Sequence, residues 1–157
     1  MNKLKRLAES YEWVEGIASK TIIDFKKTHE MLETVFDNHF KKFDISDSKF
    51  KLLVILYKSS EGGLALSEIG NRMQVTKANI TGLIDRLERQ GLVKRIRRND
   101  DRRKILAVIT EKGRKFTENI MQRYREWSNE MIEVLDDNEK EQLIHIMSKL
   151  QKGLLNL

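Results

Sequence analysis

The spacing of apolar positions predicts a mainly helical chain. In residues 8–41, apolar side chains from Trp13 to Phe40 recur every three or four positions, and charged residues fill the positions between them. This period is typical of an amphipathic helix. The stripe is long for one small globule, so we expect part of it to contact a partner chain. The same spacing predicts five further helices, over residues 47–59, 67–73, 76–91 and 110–135 and from about residue 136 onward.

Glycines and capping residues mark the breaks between these helices, because the chain has 8 Gly and no Pro. Glu61-Gly62-Gly63 predicts a loop, Gln74-Val75 a tight turn, and Gly91 a helix end. Side chains that can accept a hydrogen bond from a first-turn amide stand at the predicted helix starts. These caps are Asp44 or Ser46 for the second helix, Ser67 for the third, Thr76 for the fourth, Thr110 for the fifth and Asp136-Asp137-Asn138 for the sixth.

The pattern changes from helical to alternating after Gly91. Residues 92–98 alternate apolar and basic side chains, Asn99-Asp100-Asp101 is a turn signal, and residues 104–109 are rich in β-branched and apolar side chains. Two such runs around a short polar turn predict a β-hairpin.

Charge is concentrated in the same part of the chain. Residues 66–104 hold 11 Lys/Arg and 5 Asp/Glu, whereas the other 118 residues hold 19 of each, so the whole formal charge of +6 lies in one quarter of the sequence. A basic patch confined to one module indicates a polyanionic partner.

Composition excludes several other function classes. The absence of Cys rules out disulfides, thiolate metal sites and a thiol nucleophile. The first residues carry charges without a continuous apolar stretch, so we expect no signal peptide and no membrane span. Neither a phosphate-binding G-x-x-x-x-G-K motif nor a nucleophile elbow occurs, so we expect no enzyme and no cofactor.

The fourth helix has an unusual exposed face. Successive 100° steps place Ile80, Leu83, Ile84 and Leu87 on one side, and this side is predicted to pack on the domain. The opposite side is small or polar and comprises Ala78, Gly82 and Asp85, with Lys77, Thr81 and Arg86 at its shoulders and Asn79 beside the core face. A mid-helix glycine costs about 1 kcal/mol relative to Ala. Small residues on an exposed helix face indicate that a partner approaches the backbone closely, as the DNA major groove would. The alternative is an ordinary amphipathic helix with a tolerated glycine.

The hairpin favours the DNA interpretation, since 7 of the 11 residues from Lys94 to Lys104 are basic. Arg97 and Arg98 precede the turn, and Arg102 and Arg103 follow it. Arginines at a hairpin tip can enter a narrow minor groove. The alternative is a solvated run of charge. Asp100 and Asp101 are expected to cap the turn and to hold an arginine in place.

These motifs resemble the MarR family of winged helix-turn-helix transcriptional regulators. The similarity lies in Leu66-Ser67-Glu68-Ile69-Gly70, in Thr76-Lys77-Ala78, in the run from Leu83 to Val93, in Asp101-Arg102-Arg103 and in Thr110-Glu111-Lys112-Gly113. It implies a mainly α fold of six helices with a small β-hairpin wing, in which a winged helix-turn-helix lobe joins a helical dimerisation domain. The implied domains are residues 1–45 and 113–157 for dimerisation and residues 46–112 for DNA binding.

The resemblance also implies a function. A homodimer would bind double-stranded DNA at a pseudo-palindromic operator in the cytoplasm, most commonly as a repressor, with a small aromatic effector as a possible ligand. Arg103 would be the minor-groove arginine that Asp101 holds in place, with Arg102 as the neighbouring candidate. The DNA-binding residues to test are Ser67, Thr76, Lys77, Ala78, Asn79, Thr81, Gly82, Arg86, Arg97, Arg98, Asp101, Arg102 and Arg103. A winged-helix protein-interaction module and an activator of the same fold are the alternatives.

Two further sets of residues allow more than one interpretation. His29, His39 and His145 are the only histidines, and Glu141 could share a metal with His145, but a surface Glu–His pair is the plainer reading. The aromatic residues could line an effector pocket or simply belong to the core. They are Trp13, Phe25, Phe36, Phe40, Tyr57, Phe116, Tyr124 and Trp127.

Overall fold

A computed structural model describes residues 15–59, 62–97 and 105–156, apart from the side chain of Lys77. In this part the fold is mainly α, with six helices and a three-stranded sheet. The helices are α1 (Ile17–Lys41), α2 (Asp47–Tyr57), α3 (Leu66–Met73), α4 (Lys77–Arg89), α5 (Glu111–Met131) and α6 (Asp137–Leu154). The strands are β1 (Leu64–Ala65), β2 (Val93–Arg97) and β3 (Ile105–Ile109). The predicted fold class is confirmed.

The first helix begins later than its apolar stripe suggested. Gly16 is the N-cap of α1 with φ at +86°, so a helix that runs unbroken through residues 8–41 was a wrong prediction. A positive φ is open to glycine at little cost, and it turns the chain out of the helical direction. Residues 8–14 and Trp13 lie outside the described part.

Side-chain caps account for most of the other helix starts. Ser46, not Asp44, caps α2 by accepting a hydrogen bond from the Lys49 amide, and Thr76 accepts one from the Asn79 amide at the start of α4. Ser67 was wrongly predicted to cap α3. The helix starts directly from strand β1, so its N-cap is Ala65, whose methyl side chain cannot accept a hydrogen bond.

The sheet contains one more strand than the hairpin pattern predicted. The strand order is β1-β3-β2 and all pairs are antiparallel, with Val93 opposite Ile109 and Leu64 opposite Ala107. Gly63 makes the extra pairing possible. Its φ is +76°, and a Cβ there would lie 2.4 Å from the Ala107 carbonyl oxygen.

The core of the winged lobe is made of aliphatic and aromatic side chains from these elements. Phe40 of α1, Leu52, Leu53 and Leu56 of α2, and Ile69 of α3 are almost fully buried. Phe40 also contacts Phe50, with ring centroids 5.1 Å apart. Burial of these side chains stabilises the packing of the helices in the winged lobe.

The chain divides into two compact units, residues 1–117 and 118–157. In the second unit α5 ends at Met131 rather than near Leu135, and Asp136 caps α6. The Asp136 side chain accepts a hydrogen bond from the Glu139 amide, and the Glu139 carboxylate accepts one from the Asp136 amide. This reciprocal capping box fixes the start of α6. None of the described helices is both long and apolar enough to cross a lipid bilayer.

Candidate nucleic-acid interface

Helix α4 buries one face in the lobe and leaves the other open, as predicted. Ile80, Ile84 and Leu87 are fully buried and Leu83 is 9% exposed. These four residues follow the helical period, so they fix the rotation of α4 about its axis. The residues between them must then face outward.

The outward face of α4 borders a shallow cleft. Ala78, Asn79, Thr81 and Arg86 are exposed, and Gly82 and Asp85 are half-buried. The cleft measures about 210 Å³ and is lined by side chains and backbone from α2, α4 and the turn that precedes α4. Its lining includes Ser48, Val75, Ala78, Asn79, Gly82 and Arg86. Four of the predicted DNA-binding residues therefore line one depression.

Gly82 leaves the α4 backbone without a side chain at the middle of this face. A Cβ at this position would lie 3.5 Å from Arg86 Nη2, an ordinary van der Waals distance, so no clash inside the protein demands glycine here. Arg86 Nε donates a hydrogen bond to the Gly82 carbonyl at 3.1 Å. The Arg86 guanidinium therefore lies back along the helix, beside Gly82.

The tight turn between α3 and α4 sets the direction of α4. Gln74 adopts a left-handed conformation with φ at 55°, and the Val75 amide donates to the Gly70 carbonyl at 3.1 Å. A Cβ at Gly70 would approach the Val75 carbonyl oxygen to 3.3 Å. Glycine at this position thus lets the chain reverse closely between the two helices.

The Thr110-Glu111-Lys112-Gly113 motif holds the base of the wing. Thr110 Oγ1 donates to the Gly91 carbonyl at 2.7 Å and accepts a hydrogen bond from the Gly113 amide at 2.9 Å. Lys112 Nζ donates to the Gln90 carbonyl at 2.8 Å. A Cβ on Gly113 would lie 2.0 Å from the Leu92 carbonyl oxygen. The motif therefore fastens the end of α4 and the start of β2 to the first turn of α5.

Arg95 on strand β2 makes a second link between wing and helix. Its guanidinium donates through Nη1 to Glu88 and through Nη2 to Asp85, and its backbone amide donates to Glu88 Oε1 at 3.0 Å. Burial alone would lower the pKa of Arg95, but the hydrogen bonds and the negative charges of Asp85 and Glu88 raise that pKa above its ordinary value. From the sequence alone, Arg95 is predicted only as one of the seven basic residues of the hairpin. The sequence feature that could have predicted this link is the pair Asp85 and Glu88, three residues apart on one edge of α4.

The other predicted site residues are distributed as follows. Ser67 is exposed in the first turn of α3, and Thr76 precedes α4. On the wing, Lys94 and Arg97 are exposed near Arg95. Arg98, Asp101, Arg102 and Arg103 lie outside the described residues, as does the side chain of Lys77.

The histidines and aromatic residues have separate surroundings. His39 is buried at the end of α1 with its ring edge against Phe40 and Phe43, and burial, followed by the charge of Lys42, lowers its pKa. Glu141 and His145 are both exposed on α6. Among the described residues, no three Asp, Glu or His side chains group together as a metal site would require. Phe40 belongs to the core, whereas Phe25 is 52% exposed.

Comparisons with known proteins agree with this geometry. A family model described as the MarR family matches residues 45–105. The transcriptional repressor YetL of Bacillus subtilis is 28% identical over 147 residues, which cover 94% of this chain and 88% of YetL. The helix-turn-helix regulator YfiV of B. subtilis is 31% identical over 119 residues, 76% of this chain and 73% of YfiV. The crystal structure of an S. aureus MepR–DNA complex is similar in fold, with a TM-score of 0.71 and 24% identity over 82% of this chain and 94% of that one.

Proposed function

This chain belongs to the MarR family of winged helix-turn-helix transcriptional regulators, and from that premise we propose that it represses transcription by binding a pseudo-palindromic DNA operator as a homodimer. YetL is a repressor, and MepR has been crystallised with DNA. Both facts concern relatives, so the proposal for this chain depends on its own surface.

The observation that carries the proposal is the outward face of α4. It combines Gly82, which adds no side chain, with exposed Asn79, Thr81 and Arg86 in a module that holds all the net positive charge of the chain. A major groove is wide enough for one helix, and small side chains let the bases approach it. Positive charge on the same module supplies the affinity that does not depend on sequence.

We assign separate roles to the two DNA-facing elements. Lys77, Asn79, Thr81 and Arg86 of α4 contact base edges in the major groove, and Ala78 and Gly82 leave room for them. Ser67 and Thr76, at the starts of α3 and α4, lie near the backbone phosphates. The wing arginines contact the adjacent minor groove, with Arg103 as the principal contact that Asp101 positions. These wing arginines are Arg97, Arg98, Arg102 and Arg103.

Exposed apolar side chains on α6 support the homodimer. Leu143, Ile146, Leu150 and Leu154 follow helical spacing and are 39%, 60%, 44% and 57% exposed in the single chain. Ile17, Ile22 and Phe25 of α1 are similarly exposed. A row of exposed apolar side chains along one helix marks a protein interface. We assign residues 1–45 and 113–157 to dimerisation and residues 46–112 to DNA binding.

An effector completes the proposal. A small aromatic molecule that favours one spacing between the two DNA-binding lobes would change operator affinity without contacting the DNA-reading residues. The protein would act on chromosomal DNA in the cytoplasm, and it would do so without catalysing a reaction.

Selection of bound duplexes from a random library tests the proposal directly. We expect the recovered sequences to contain inverted half-sites about one helical turn apart.

Arg103→Ala should lower affinity for the selected duplex by about tenfold or more and reduce the slope of log Kobs against log salt. Arg125→Ala, which removes an exposed arginine from α5, is the control and should leave binding unchanged. Failure to recover any duplex would refute the proposal, and unchanged binding by Arg103→Ala would remove the wing from it.

A further inference from the structure

Two carboxylates lie on the helix that we propose enters the major groove. Asp85 and Glu88 of α4 are 48% and 39% exposed, on a module that must approach a polyanion. Unpaired acidic groups at a DNA interface repel phosphates, and this repulsion is strongest where little water lies between the charges. Their presence on α4 therefore requires a physical explanation.

Arg95 neutralises both carboxylates from the neighbouring strand. Its guanidinium bridges Glu88 through Nη1 and Asp85 through Nη2, and Nη2 also reaches the Thr81 carbonyl at 3.4 Å. Only 24% of the Arg95 side chain is exposed. Its guanidinium donors point at α4 rather than outward, so they are used in contacts within the protein and are not directed toward DNA.

The same contacts fix the position of the wing. Glu88 accepts two hydrogen bonds from Arg95, one from the side chain and one from the backbone amide of β2. A carboxylate that holds both backbone and side chain restricts the strand more than a surface ion pair would. Exposed Lys94 and Arg97 lie on either side of Arg95, so their direction depends on this anchor.

We propose that Arg95 is a positioning residue, which locks the wing to the DNA-reading helix and masks Asp85 and Glu88 from the DNA without contacting the duplex itself. This inference rests on the proposed DNA-binding function. It divides the basic residues of the wing into two classes, those that face DNA and one that organises the others.

A double-mutant cycle separates this role from a phosphate contact. Affinity is measured for a duplex recovered by the selection above, in the wild-type protein and in the Asp85→Asn/Glu88→Gln background. If Arg95 acts through the two carboxylates, Arg95→Met should weaken binding about tenfold in the wild type and much less in the neutralised background. Arg86→Met is the matched control and should have the same effect in both backgrounds, because Arg86 lies on α4 itself and bonds to the Gly82 carbonyl rather than to either carboxylate.

Arg95→Lys provides a second test that retains the charge. Lysine is a good phosphate ligand but cannot bridge two carboxylates with a planar fork, so the positioning role predicts clearly weakened binding. The thermal unfolding midpoint of each variant shows whether it is folded.

The possible outcomes are distinct. No duplex binding by the wild type would refute the proposed function itself. Wild-type binding with an equal loss from Arg95→Met in both backgrounds, or full affinity in Arg95→Lys, would overturn the positioning role and leave the proposed function intact.

Discussion

At the scale of single residues, three glycines of the winged lobe have different reasons for being glycine. Gly113 faces the Leu92 carbonyl oxygen so closely that no Cβ fits, and Gly63 combines a positive φ with a similar close approach. Gly82 has neither constraint, because a Cβ there would make an ordinary contact. The first two are therefore explained by the fold, whereas no contact among the described residues explains Gly82, and the proposed DNA contact would.

Gly113→Ala should strongly destabilise the protein. The new Cβ would lie 2.0 Å from the Leu92 carbonyl oxygen and 2.8 Å from Ile109 Cγ1, so either α5 or the base of β2 must move. We expect a loss of about 3 kcal/mol or more in the free energy of unfolding, measured with urea. Gly62→Ala is the control, since a Cβ there meets no atom within 4 Å. Equal stability of the two variants would contradict the close packing at Gly113.

Gly82→Ala should separate stability from DNA binding. Alanine favours the helix by up to about 1 kcal/mol, so the free energy of unfolding should rise. Affinity for the selected duplex should fall nevertheless, because the added methyl group occupies the face that the groove approaches. A stabilised Gly82→Ala variant with full affinity would show that DNA does not approach this part of the backbone.

At the scale of secondary-structure elements, the sequence predicted the parts whose cause is local. The core face of α4 follows from periodicity, and the caps at Ser46 and Thr76 follow from residue type. Strand β1 escaped prediction because two residues are too few to alternate, and it exists only through its pairing with β3. The Arg95 contacts were also missed, because they depend on how β2 packs beside α4 and not on a local sequence pattern. The predicted DNA-binding residues remain predictions.

Thr110→Val should weaken the junction between α4, β2 and α5. Valine keeps the volume but loses the hydrogen bond to the Gly91 carbonyl and the one from the Gly113 amide. We expect a loss of about 1–2 kcal/mol in the free energy of unfolding. Thr28→Val is the control. It removes only a hydroxyl that donates to the Asp24 carbonyl of its own helix, and it should cost far less.

The end of α1 should make the stability of the protein depend on pH. The folded-state pKa of His39 is lowered from its ordinary value of 6.5, first by burial and then by Lys42, so the unfolded chain binds the proton more readily. The contribution of His39 to the free energy of unfolding should therefore be fully present above pH 6.5. It should fall as the pH drops below this value and level off below the folded-state pKa. His39→Gln should flatten this slope below about pH 6.5 in urea unfolding, while His29→Gln, at an exposed position of α1, should not. A slope that survives in His39→Gln would assign the effect to other groups.

At the scale of the whole molecule, the proposed homodimer places two basic lobes on one DNA duplex, which would give a higher affinity and specificity than one lobe. In the proposed function a single lobe would contact one half-site, and the number of phosphates it neutralises would limit its affinity. Joining two lobes makes the second contact intramolecular, so affinity and specificity rise together for sites with the right spacing. The exposed apolar face of α6 is therefore as important to the proposed function as the arginines of the wing.

Leu150→Glu should break both the dimer and operator binding. Leu150 lies in the middle of the exposed apolar row of α6, between Ile146 and Leu154, and an apolar interface that buries an unpaired carboxylate loses several kcal/mol. In sedimentation equilibrium the wild type should have twice the mass of one chain, and Leu150→Glu should have the mass of one chain. Gln151→Glu adds the same charge at the neighbouring exposed position and should remain a dimer. Because α6 bears none of the proposed DNA contacts, a monomeric Leu150→Glu that still bound the full operator with wild-type affinity would show that each lobe acts alone, and the requirement for paired half-sites would fail with it.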